Sequence, residues 1–333
     1  MEEPSALIRW VIYLFAGGDA GRLAAIMLGV VTALFVWPGR RMRLRPLVFG
    51  LTILVGLLLY VCSPLPEPDW FLWLTAVWLG AVIWHLWTGA SITAPVTSAE
   101  QTQATTQRTI WQKALLIGSV IWLLLAIGME LPFLAFRGPS HQITDVLVIG
   151  DSVTAGLNDG EDTWPQKLAR ETAVIVRDAS QPGATLNSAR KQNQLFASQS
   201  GLVLLEIGGN DMLEGLPVRM FDQQLDQLLA EVTRPGRSVV MFELPLPPFS
   251  RGYGLVQRRQ ARRHGVWLIP KRHFAKVLTT SGATVDGIHL SANGQARMTE
   301  LIRSLFVHQL TSGAGRYERL QIKPSTVRGD RRG

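Results

Sequence analysis

In a chain of 333 residues a serine and, far from it, a neighbouring aspartate and histidine have the types that acyl transfer needs, provided the fold brings them together. Ser152 closes the tripeptide Gly150-Asp151-Ser152, directly after the apolar run Asp145–Ile149. Such a run reads as a buried parallel strand, and the small residues after it let the backbone bend sharply. Ligands of open α/β sheets bind at the carboxyl ends of strands, so Ser152 is placed as a nucleophile if a base can reach it. Asp286 and His289 stand three apart in Val285-Asp286-Gly287-Ile288-His289-Leu290-Ser291. An acid that near can set the tautomer of the imidazole and make it that base. Two more loops follow apolar runs: Glu206-Ile207-Gly208-Gly209-Asn210-Asp211 and Ala179-Ser180-Gln181-Pro182-Gly183-Ala184-Thr185. Asn210 offers an uncharged amide donor and Gly183 a backbone N–H. Each loop taken singly also reads as an ordinary turn.

The elements that must position these residues begin at Thr144, where strands and helices alternate. The predicted strands are Asp145–Ile149, Ala173–Arg177, Leu202–Ile207, Ser238–Leu244 and Val266–Ile269. Between and after them the pattern predicts helices over Trp164–Glu171, Leu186–Ser198, Val218–Val232, Leu255–His264 and Ala292–Gln309, the last with Ser291 as N-cap. Strands alternating with helices imply a parallel sheet covered on both faces.

With these blocks in this order, the chain from Asp145 to about Gln309 resembles the SGNH (GDSL) hydrolase superfamily and is similar to its thioesterase I/lysophospholipase L1-like branch. The resemblance implies a three-layer α/β/α, flavodoxin-like domain with a central parallel sheet. It implies Ser152 as nucleophile, His289 as general base and Asp286 as the residue orienting His289. The oxyanion hole would be the N–H groups of Ser152 and Gly183 with the side-chain amide of Asn210. No cofactor or metal is implied, and no Gly-rich phosphate loop or metal-ligand cluster occurs. The chain departs from the family pattern in its second block, which often carries Asn where Asp178 stands here and which has Gln181-Pro182 before Gly183.

The first 137 residues differ in kind. Nine of the eleven tryptophans precede residue 123. After a short apolar run at 6–16, longer ones lie near 21–37, 46–62, 70–87 and 112–136. A bilayer span needs about 20 apolar residues, and tryptophans at the ends suit its interfaces. These features predict an all-α membrane domain of about four transmembrane helices over 1–137, followed by the hydrolase domain at 138–311. Arg40, Arg41, Arg43 and Arg45 crowd one short loop, which the positive-inside rule places in the cytoplasm. Three further crossings, at 46–62, 70–87 and 112–136, put the hydrolase domain outside the cytoplasmic membrane. Cys62 is the single cysteine, so no intrachain disulfide forms.

Two basic stretches remain. The tail 312–333, rich in Gly, Arg and Ser, reads as disordered. The segment Arg251–Lys276 carries eight basic residues and no acid. On its helix, Arg258, Arg259, Arg262 and Arg263 form either a solvated face or a surface that docks on anionic headgroups or polymer. Nucleic acid is not expected as a partner for a domain outside the cytoplasm. The reaction expected is hydrolysis of an acyl ester on an acylated glycan or a lysolipid. Acyl transfer to an extracytoplasmic glycan and a non-catalytic membrane scaffold are the competing readings.

Overall fold

The computed structural model describes residues 5–17, 131–133, 135–158, 160–194 and 201–320, with isolated positions between 80 and 128. Two compact units make up the chain. One holds Phe136–Pro245 and Val256 onward, together with the first twelve residues; the other holds Tyr13–Ala135 and Leu246–Leu255.

The first unit is built on a six-stranded sheet: β1 (Asp145–Gly150), β2 (Ile175–Asp178), β3 (Gly201–Glu206), β4 (Arg237–Phe242), β5 (Trp267–Ile269) and β6 (Arg316–Arg319). All neighbours pair in parallel, in the order β5-β4-β3-β1-β2-β6. Parallel pairing forces each connection to cross over the sheet, and helices supply the crossovers. They are α2 (Ser152–Ala155), α3 (Trp164–Glu171), α4 (Leu186–Gln194), α5 (Gly209–Leu213), α6 (Val218–Val232), α7 (Arg251–His264), α8 (Lys271–Thr279) and α9 (Ala292–Leu305). Before them, α1 spans Ala6–Ala16.

Alternation along the strands divides the core into two layers. Val146, Val148, Val176, Leu202, Leu204, Val240 and Phe242 form one cluster with Trp164 and Leu168 of α3, Phe274 of α8 and Met298 and Ile302 of α9. Strand side chains point alternately to opposite faces, so Leu147, Ile149, Val203, Leu205, Val239 and Met241 face the other layer. There α4 packs against α6, whose Phe221, Leu225, Leu228, Leu229 and Val232 are all buried. β1 is covered on both sides, which explains why its sequence reads as one apolar run rather than alternating. This is the three-layer α/β domain that the pattern predicts.

Three expectations need correction. The tail 312–333 is not disordered throughout: Arg316–Arg319 joins the sheet, pairing Ile175 with Arg316 through Asp178 with Arg319. Its charges concealed the strand, because an edge strand needs no apolar alternation when its side chains find partners across the pairing. Arg177 of β2 lies between Asp145 of β1 and Glu318 of β6 and pairs with both. Residues 321–333 lie outside the described residues.

Arg258 is the second correction. It does not belong to a docking face, since its side chain is 2% exposed and its Nε donates to Glu243 at 2.6 Å. Glu243 also accepts from the Lys271 N–H at 3.1 Å. Burial raises the Glu243 carboxyl, but Arg258 and Lys271 outweigh it and hold it below its ordinary value. Arg259 and Arg263 lie further out, where Asp222 and Asp226 of α6 pair with them at 2.9 and 3.1 Å. The acids that meet these arginines come from outside the segment, Glu243 from just after β4 and Asp222 and Asp226 from α6. The third difference is α8, which begins in that segment and runs past its end, where the pattern predicts no helix.

The four long apolar runs fall outside the described residues, except for isolated positions and the end of the fourth run at 131–133 and 135–136. Among the described residues no helix is long and apolar enough to cross a membrane.

Candidate active site

β1 ends at Gly150, and the chain turns at once into α2. The turn needs glycine, because a Cβ at 150 would lie 2.7 Å from the Thr154 side chain and 3.2 Å from the Glu206 carbonyl. Asp151 is the N-cap, its Oδ1 accepting from the Val153 N–H at 2.9 Å. Ser152 therefore starts the helix at the carboxyl edge of the central strand. Its N–H belongs to the first turn, which helix geometry leaves without an intrahelical acceptor.

The loop before α9 carries Asp286 and His289. Thr284 and Leu290 form an antiparallel bridge, Val285 N–H donates to the His289 carbonyl at 2.9 Å, and Ser291 N–H donates to Ala283 at 2.9 Å. Within this narrow loop Asp286 Oδ1 accepts from the N–H groups of Ile288 and His289 at 3.0 and 2.9 Å. Its Oδ2 meets His289 Nδ1 at 2.6 Å, and His289 Nε2 lies 3.1 Å from Ser152 Oγ. Partial burial raises the Asp286 carboxyl, but the His289 ring and the two N–H groups outweigh that and lower it to about 2. A charged carboxylate keeps the proton on Nδ1, so Nε2 presents a lone pair to the serine hydroxyl.

The other two loops close around the same edge. Asn210 Nδ2 donates to the Ala184 carbonyl at 2.9 Å, and Asp211 Oδ2 accepts from the Leu186 N–H at 2.9 Å. Gly183 thus sits in a turn fastened to α5 on one side. On the other, Gln181 N–H donates to the Gly150 carbonyl at 3.0 Å. Gly183 has φ +72°, a left-handed conformation that a side chain would strain. One amide hydrogen of Asn210 is engaged, and the second is available to an acceptor at the site. Ser152, Gly183, Asn210, Asp286 and His289 are all carried by loops or helix starts at this edge.

Several residues of the site had no signal of their own in the sequence. Gln295 Oε1 accepts from the Trp164 N–H at 2.8 Å while its amide donates to Glu161 at 3.3 Å. Glu161 in turn accepts from the Leu157 N–H at 2.9 Å, holding the chain just after α2. Glu206 is buried beneath the serine, accepts from Thr154 Oγ at 2.9 Å and is hydrogen-bonded to Asp151. Burial, and then the negative Asp151, push Glu206 well above its ordinary value, which favours the neutral form that can donate to Asp151. Asp151 is itself raised, by burial first, with the Val153 N–H and Glu206 partly offsetting.

This arrangement fixes the sign of a pH effect. Folded Glu206 keeps its proton above pH 4.5, where the unfolded chain loses it, so its contribution to stability falls as pH rises toward its folded value. Glu206→Gln preserves both hydrogen bonds without ionising. Its Tm relative to wild type is expected to improve as the pH rises above 4.5; a Tm that worsens with rising pH would contradict a raised Glu206.

Among the described residues no group of three His, Cys, Asp or Glu side chains is arranged to hold a metal ion.

A model of the GDSL-like Lipase/Acylhydrolase family matches residues 148–297. An arylesterase of Vibrio mimicus is 25% identical over 193 residues, covering 54% of this chain and 96% of its own. The thioesterase 1/protease 1/lysophospholipase L1 of Escherichia coli is 28% identical over 186 residues, covering 50% of this chain and 86% of its own. Esterase TesA of Pseudomonas aeruginosa is 30% identical over 172 residues, covering 46% of this chain and 84% of its own.

Proposed function

The chain belongs to the GDSL-like lipase/acylhydrolase family and is an esterase of that family, and on that premise we propose that Ser152, His289 and Asp286 hydrolyse an acyl ester through an acyl-serine intermediate. The observation that carries the reading is the unbroken contact from Asp286 through His289 to Ser152, at 2.6 and 3.1 Å. Ser152 Oγ attacks the ester carbonyl carbon as its proton passes to His289 Nε2. The carbonyl oxygen becomes an oxyanion, held by the N–H groups of Ser152 and Gly183 and by the Asn210 amide. Such pre-aimed donors act on charge that develops only in the transition state, and each is typically worth about 10²–10³ in turnover. Collapse of the intermediate expels the alcohol, which takes the proton from His289. Water, deprotonated by His289 in turn, then releases the acid and restores the serine.

The substrate proposed is an acylated glycan or a lysolipid, met outside the cytoplasmic membrane by a domain anchored through helices within residues 1–137. Two features of the chain support that placement: the four apolar runs and the arginine loop at 40–45.

A panel of acetylated glycans, lysophospholipids and soluble esters, assayed with and without acceptor glycan, tests the reaction. Release of free acid at a rate indifferent to the acceptor is expected. Acyl transfer that dominates whenever acceptor is present would replace hydrolysis by transfer. Placement is tested separately with a reporter fused after Gly333, which leaves β6 intact. Activity of a reporter that works only outside the cytoplasm is expected; activity only of a cytoplasmic reporter would reverse the orientation.

A further inference from the structure

Asp178 stands where the family pattern often has asparagine, and it is fully buried. A buried carboxylate costs several kcal/mol unless it is paired and hydrogen-bonded. Here every partner is identifiable. Asp178 Oδ1 accepts from the N–H and Oγ of Ser180 at 2.9 and 2.5 Å. Its Oδ2 accepts from Tyr317 Oη at 2.9 Å and from Arg319 Nη1 at 2.5 Å. Arg319 reaches past the carboxylate: Nη2 donates to the Ser180 carbonyl at 2.9 Å and Nη1 lies 3.5 Å from Ser180 Oγ. Leu320 N–H donates to the Asp178 carbonyl at 2.8 Å, continuing the β2–β6 ladder.

Ser180 opens the loop that carries Gly183. The next residue, Gln181, is tied to the Gly150 carbonyl, immediately before Asp151 and Ser152. We propose that Arg319, delivered by β6, is a positioning residue for catalysis: its planar fork grips Asp178 and the Ser180 carbonyl together and so fixes where the Gly183 N–H points. The proposal rests on the reading of Gly183 as an oxyanion donor. A lysine could neutralise Asp178, but a point charge cannot hold two acceptors in a set plane. The sixth strand thereby acts on the reaction as well as closing the sheet edge.

The test uses the full chain and a soluble nitrophenyl ester. Arg319→Met is expected to lower kcat on the order of 10- to 100-fold with KM unchanged, since a displacement near 1 Å costs up to about 10²-fold and the oxyanion contact matures only in the transition state. Asp178→Asn added to Arg319→Met removes the stranded charge but not the missing fork, so kcat should stay low. A strand that only stabilises the fold would lower Tm in both variants while leaving kcat at low temperature untouched. Full kcat in Arg319→Met, or a double variant restored to wild-type kcat, overturns the proposal. Should Arg319→Met not fold, Arg319→Lys carries the test: reduced kcat at unchanged KM supports the fork, and wild-type kcat overturns it. Ser152→Ala run alongside separates the two readings. If it is inert while Arg319→Met is fully active, only the role of Arg319 fails; if it stays active, the nucleophile reading itself fails.

Discussion

Ser152→Ala is expected to abolish ester hydrolysis, with kcat falling on the order of 10⁶-fold, the scale on which removal of a triad serine acts. Alanine at 152 leaves the Asp151 cap on Val153 in place, because that contact is made by the Asp151 side chain and a backbone N–H. The fold and its Tm should therefore persist, and the loss is chemical. His289→Ala should cost a similar factor, since a hydroxyl at 3.1 Å from an absent base has nowhere to send its proton. The double variant should be no slower than either single one, because groups that act as a unit are not additive. A fluorophosphonate probe should label Ser152 in wild type and nothing in Ser152→Ala. Hydrolysis by Ser152→Ala within about tenfold of wild type would remove Ser152 from the mechanism.

Asp286→Asn is expected to cost about 10⁴ in kcat, as loss of the orienting carboxylate does in serine proteases. Asp286 uses one oxygen for two backbone N–H groups and the other for His289 Nδ1. Asparagine has one oxygen. If it keeps the backbone contacts, its amide faces Nδ1 and drives the ring proton to Nε2, where it blocks the serine. The wild-type carboxylate, lowered to about 2, stays charged through about pH 4, where an ordinary aspartate is half protonated. Protonation of Asp286 should therefore not limit turnover until the pH nears 2. The same shift stabilises the fold above pH 3.8 and is lost as pH falls through about 2. Solvent screening makes that contribution small, since the Asp286 side chain is 37% exposed. Retention of turnover within about tenfold in Asp286→Asn would show that His289 is oriented by something else.

Arg258 and Arg259 illustrate how neighbouring residues of one type part company on folding. Both are arginines on one basic helix, and helical spacing alone groups Arg258 with Arg262 and Arg259 with Arg263. Packing of α7 against α6 and the end of β4 sends Arg258 inward to Glu243 and leaves Arg259 and Arg263 near the surface beside Asp222 and Asp226. Local charge density describes a segment, whereas the partner of each charge depends on which helix arrives opposite.

What the sequence by itself determined are the features whose cause is local. The buried run at Asp145–Ile149 is apolar on both faces because a central parallel strand is covered twice, and α3 and α6 match their predicted bounds because their apolar faces repeat at helical spacing. The Gly-Asp-Ser turn, the Gly-Gly-Asn-Asp turn and the Asp-Gly-Ile-His loop could be read in the same way, since each places its chemistry within a few residues. What only the tertiary structure decided are pairings between residues far apart in the chain. Glu206 ends β3 and is hydrogen-bonded to Asp151, the neighbour of Ser152. Gln295, on α9, holds Trp164 and Glu161, which lie far earlier in the chain. Arg316–Arg319 carried no apolar pattern, and its place in the sheet follows from Asp178, Arg177 and Tyr317 finding partners across the β2–β6 edge. Burial and charge pairing are properties of what lies opposite a side chain, and no window of neighbouring residues contains that information.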